Sequence, residues 1–152
     1  PPYHDSEYIV SHEAAHTYWP FWPRWIAEGA ATFMDLYYQS TRAGRPLPAP
    51  RMCASFDNIG RLEAAGVSSN HPCNYSLGSG LFLDLYGTMG HDPFREAFGR
   101  LYTWLSDDAL FARCGRSEGK GECYVRAAFV EYMPEQAAVT EEIINRHFHG
   151  AP

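Results

Sequence analysis

At 152 residues, 45% of them hydrophobic and 15% aromatic, the chain is long enough to bury one substantial core, and a single domain spanning 1–152 is expected. A formal net charge of −6 and a single lysine argue against nucleic acid or an anionic membrane surface as partner. No apolar run reaches membrane-spanning length and no basic-then-apolar leader opens the chain, so no membrane insertion is expected within this segment.

The chain opens on Pro1-Pro2-Tyr3, a few residues before the first helical pattern, which reads as part of a longer, processed protein. The first predicted helix runs from a cap at Asp5 or Ser6 to about Tyr18, with Val10, Ala14 and Thr17 on its inner face. It carries His12-Glu13-Ala14-Ala15-His16. Residues four apart share a helix face, so the two imidazoles can converge on one metal ion. Glu13 is rotated by about 100° from His12, which puts its carboxylate beside such an ion and within reach of a proton on metal-bound water. The pattern is that of the ligand pair and general base of a zinc hydrolase.

A zinc site of this kind needs a third protein ligand and one open position. Twelve residues after His16, Glu28 opens the pattern Trp25-Ile-Ala-Glu28-Gly29-Ala-Ala-Thr-Phe33. Between them, Pro20 ends the first helix and Pro23 suits the start of a second, predicted from about Arg24 to Thr41. A helix, an aromatic corner and a second helix would return Glu28 to the histidine face. Gly29 costs helix stability relative to alanine, which points to close packing near the metal.

Ala43-Gly44-Arg45-Pro46 ends that helix and leads into a proline-rich loop to Pro50. Further helices are predicted near Phe56 to Ala65, Tyr75 to Met89, Pro93 to Leu105, Glu122 to Tyr132 and Val139 to Phe148. No convincing strand set and no repeat appears, and the expected class is mainly α. The four cysteines allow three pairings and none has the Cys-x-x-Cys spacing of a second zinc site. Local pairing of Cys53 with Cys73 and Cys114 with Cys123 is preferred, and with it a secreted or extracytoplasmic location. His4, His71, His91, His147 and His149 read as surface or structural residues, with His71 the one weak candidate for substrate contact. Spacing two makes the rings of His147 and His149 diverge on a helix.

His12-Glu13-x-x-His16 followed by Trp25-x-x-Glu28-Gly29-x-Ala31 resembles the gluzincin metallopeptidases, whose third ligand is a glutamate from a second helix. The short spacer and the wording from Trp25 to Phe33 look most like bacterial peptidase-MA-like domains, relatives of the aminopeptidase N and glycyl aminopeptidase families. The resemblance covers residues 6 to 98 and implies one Zn2+ per chain held by His12, His16 and Glu28, with Glu13 as general base. It also implies a peptide or protein substrate, and a sheet lobe that is small or lies upstream of Pro1. Asp35, two helical turns past Glu28, matches an acid that hydrogen-bonds a ligand histidine in aminopeptidase N-like enzymes; such a bond fixes the imidazole's tautomer. Tyr75, in Tyr75-Ser-Leu-Gly78 ahead of an apolar helix, matches a phenol that donates to the tetrahedral intermediate. The alternative from another class is a non-catalytic module that keeps the zinc and binds a partner. The intact Glu13 argues against it, because binding alone needs no base.

Overall fold

The computed structural model describes residues 5–19, 23–68, 70–105, 107–115 and 117–150, the side chains of 5–9 and 118 excepted. His4, the corner residues Pro20 to Trp22 and the cap expected at Asp5 or Ser6 lie outside what is described. Eight α-helices follow in order: α1 (Asp5–Ala15), α2 (Arg24–Arg42), α3 (Ile59–Ala65), α4 (Pro72–Met89), α5 (His91–Trp104), α6 (Asp108–Cys114), α7 (Gly121–Arg126) and α8 (Ala137–His149). No strand occurs among the described residues, so the fold is mainly α as expected.

The most extensive helix pairing is that of α2 with α4. Every residue of α2 from Trp25 to Phe33 is buried, which needs packing on several sides; α1, α4 and the C-terminal helices supply it. Two glycines set how close α2 and α4 come. A Cβ on Gly29 would stand 2.5 Å from the Gly78 backbone, and one on Gly78 would overlap the Trp25 carbonyl oxygen. Gly29 is therefore small for a helix crossing, and the crossing carries Glu28 and Tyr75 with it. Trp25 sits in the core with Phe82 and Phe148 against its ring and its indole N–H donating to Glu63 at 2.6 Å.

Helix ends follow local chemistry. Asn58 Oδ1 accepts from Arg61 N at the start of α3, and Gly66 closes that helix at φ 58°. His71 caps α4 through Nδ1, with Pro72 in the first turn where its missing N–H costs nothing. Several boundaries differ from the periodicity: α1 ends at Ala15, α3 starts at Ile59, α4 at Pro72, α5 at His91 and α8 at Ala137. The sequence reading passed over α6, a seven-residue helix capped by Asp107. Where one helix from Glu122 to Tyr132 was expected, α7 gives way to a π-turn over Ala127–Glu131. The inner face assigned to α1 is also corrected. Val10 is 68% exposed and Ala14 and Thr17 are exposed, while His12, Ala15 and Trp19 are buried. The histidine face turns inward because its polar partners sit on α2.

Two disulfides close the outer loops. Cys53 joins Cys73 across a Cα separation of 5.4 Å, and Cys114 joins Cys123 across 5.6 Å. Both are the expected local pairings, and such bonds are characteristic of oxidising compartments. No helix is long and apolar enough to cross a membrane among the described residues.

Candidate metal centre

His12 lies in the last turn of α1, and His16 in the turn that prolongs it, held by a bond from its amide to Glu13 O at 3.2 Å. After the corner, α2 runs back past this face and presents Glu28 one turn in. The three side chains converge. His12 Nε2 lies 3.2 Å from His16 Nε2, and Glu28 Oε2 is 3.3 Å from each. The group is well covered, with side-chain exposures of 6%, 10% and 11%.

An equilateral triangle of donor atoms has a direct reading. A tetrahedral ion with bonds of about 2.0–2.1 Å separates its ligand atoms by about 3.3–3.4 Å along each edge. The observed edges match one face of such a tetrahedron, leaving the fourth corner for water or substrate. Two imidazoles and a carboxylate are also the donor types such an ion takes. His12, His16 and Glu28 can therefore hold a metal ion together, and the residues fit it as they stand. Burial pushes the Glu28 carboxyl up, but the His12 hydrogen bond, the charges of His16 and His12 and a bond from Tyr75 outweigh it. The net effect holds Glu28 below the ordinary carboxylate range. It is kept ionised, as a ligand must be.

Tyr75 comes to the cluster from α4. Its ring stacks on His12 with centroids 5.6 Å apart and planes at 27°, and its phenol bonds to Glu28. The crossing explains the placement: Gly78, one turn after Tyr75, lies against Gly29, the neighbour of Glu28. Glu13 is exposed on α1 and stands outside the converging triangle.

Asp35 is 1% exposed, two turns along α2. It accepts a hydrogen bond from Ser11 Oγ, on the residue before His12, and the Gln39 side chain lies close enough to favour its ionised form. Burial pushes its carboxyl up, opposed by Ser11, Gln39 and the charge of His12. Asp35 thus ties α2 to α1 through Ser11, where a hydrogen bond to a ligand imidazole was expected. Ser11 and Gln39 were not singled out from sequence. Gln39 stands four residues past Asp35, a spacing that could have flagged it; nothing in the sequence marks Ser11. Thr32, between Glu28 and Asp35, buries a hydroxyl that makes no hydrogen bond.

The remaining histidines take structural places. His71 caps α4 and packs edge-on against Phe56. His91 faces Tyr37 at 3.3 Å. His147 and His149 diverge as their spacing requires, His147 onto Asp84 of α4 at 2.7 Å and His149 onto Glu122 of α7 at 3.0 Å.

Comparison of the chain with protein-family models, with curated proteins and with solved structures finds no match.

Proposed function

We propose that this protein is a zinc-dependent peptidase of gluzincin type, acting in a secreted or extracytoplasmic setting. The observation that carries the reading is the triangle of His12, His16 and Glu28 donor atoms, edged at 3.2–3.3 Å, with the Tyr75 ring stacked on His12. Zinc bound there would supply Lewis-acid chemistry, polarising a scissile carbonyl and lowering the pKa of water towards about 7. Glu13 takes a proton from the attacking water and passes it to the leaving amine, which needs a carboxylate that is ionised and free to turn. Glu13 is exposed, which leaves its side chain free to turn. The Tyr75 phenol, which interacts with Glu28, would donate to the oxyanion that develops as the carbonyl is attacked. Asp35 and Ser11 hold α1 against α2 and so keep the two imidazoles at their spacing.

The test has two arms. Elemental analysis should find one zinc per chain, lost in His12→Ala and in Glu28→Ala; retention of stoichiometric zinc in both would overturn the site. Glu13→Gln should keep the zinc and lower peptide hydrolysis by at least ~100-fold. Zinc binding with no turnover of any peptide in a broad library would favour the non-catalytic module instead.

A further inference from the structure

On the side of α2 turned away from Glu28 lies a cleft of about 510 Å3. Its walls are Phe33 and Tyr37 of α2, Tyr86 of α4, and Phe94 and Phe98 of α5. Phe33 and Tyr37 follow Glu28 by five and nine residues, about 140° and 180° around the helix, so the cleft is separate from the metal centre. Its volume falls within the range of small-molecule pockets, about 300–1,000 Å3. The wall is close-packed aromatic surface, with Phe33 and Phe94 centroids 4.9 Å apart and Phe94 and Phe98 5.0 Å apart.

The phenols of Tyr37 and Tyr86 and the His91 ring are already engaged with one another. Tyr37 and His91 Nδ1 stand 3.3 Å apart, and Tyr37 also bonds to Tyr86. A ligand body rich in hydroxyls or amides would give up its bonds to water here and receive few in return. Sugars and nucleosides are therefore poor occupants and a hydrocarbon body is a good one. A second hollow of about 580 Å3 shares Tyr37, Thr41 and Tyr86 with the first and runs along the Pro46–Pro50 loop. That hollow is the more polar of the two, with Ser40, Thr41 and Arg45 in its lining, so a hydrocarbon body belongs in the first cleft.

Charge appears only at the rim. Arg42 ends α2 on one side and Arg95 stands on α5 on the other, both bordering the cleft. In a chain with 12 basic and 18 acidic residues, an exposed guanidinium at an apolar mouth favours an anion. Arg95 is exposed and takes part in no ion pair among the described residues. Guanidinium recognises carboxylate by paired, charge-assisted bonds.

We propose that this cleft binds a long-chain carboxylate, its tail along the Phe33–Phe98 wall and its head at Arg95. The proposal is independent of the metal centre and of peptidase activity. It is tested by titration calorimetry with decanoate and with decan-1-ol near neutral pH, which separates the charged head from the shared tail. Decanoate should bind once per chain and at least about tenfold more tightly than the alcohol. Arg95→Glu should weaken decanoate by about tenfold or more and leave the alcohol unchanged. Should that variant melt early, Arg95→Gln should give a smaller loss in the same direction. Equal affinities for acid and alcohol, unchanged binding in both Arg95 variants, or no saturable binding would overturn the proposal. So would a self-association of the chain that excludes decanoate, since the cleft would then be an interface between copies.

Discussion

Tyr75 holds two positions at once, stacked on one ligand imidazole and bonded to the ligand carboxylate, and its two roles separate experimentally. As an oxyanion donor its bond strengthens in the transition state, so Tyr75→Phe should lower kcat by about 100- to 1,000-fold with zinc content and KM little changed. As a support for Glu28 alone, its loss should weaken zinc by about 10- to 100-fold and leave kcat of the loaded protein near the parent's. Measuring zinc affinity and kcat on the same variant decides; a kcat within about threefold of the parent removes the oxyanion role.

Between elements, the α2–α4 crossing depends on Gly29 and Gly78, where a methyl group would meet backbone that cannot move aside. Gly78→Ala should cost about 1–3 kcal/mol by overpacking and shift Tyr75 relative to Glu28, lowering both melting temperature and activity. Gly87, on the same helix with nothing within 4 Å of an added Cβ, is the control. Gly87→Ala should be stabilising, by up to about 1 kcal/mol through helix propensity. A Gly78→Ala melt equal to the parent's would show that the crossing can open without penalty.

The tie between α8 and α4 is pH-dependent. Burial pushes the His147 imidazole down, and the Arg146 charge adds to this, while the bond and charge of Asp84 oppose it; the net shift is downward. A histidine with a lowered folded pKa is stabilising in its neutral form. Its contribution is fully present above the unfolded value of about 6.5 and is lost as pH falls through the folded one. The stability difference between parent and His147→Gln, both stripped of metal and unfolded in urea, should therefore shrink on acidification from pH ~7.5 to ~5. A difference that grows instead would mean that Asp84 outweighs burial.

At the scale of the whole molecule, the loop bearing Cys53 and the glycine-rich stretch before Cys123 bury little surface of their own, and the disulfides anchor them to the helical core. Intact mass without reductant should be four hydrogens below the all-thiol value, one pair for each bond. Removing Cys53–Cys73 by paired serine substitution should cost about 2–4 kcal/mol, because that bond closes a loop with a sequence separation of 20. It also fixes the start of α4, two residues before Tyr75, so the paired variant should lose activity at temperatures where it remains folded.

The sequence by itself indicated the helical class and the His12–His16 pair through the helix period, and it favoured the two local disulfides and Glu28 as the third side chain of the cluster. His12 and His16 share a face by the helix period alone, and the prolines after Trp19 separate two helices whatever else surrounds them. Only the tertiary structure decided which way α1 faces. Its apolar residues Val10 and Ala14 lie outside, since the inward side belongs to histidines whose partners Glu28 and Asp35 are on another helix. Periodicity weighs hydrophobicity, and here polar bonding across a helix pair outweighs it. The meaning of Gly29 likewise depends on Gly78, 49 positions away, and the aromatic cleft on three helices at once. Such contacts have no local signature, because what selects each residue is the shape and charge of a neighbour distant in the chain.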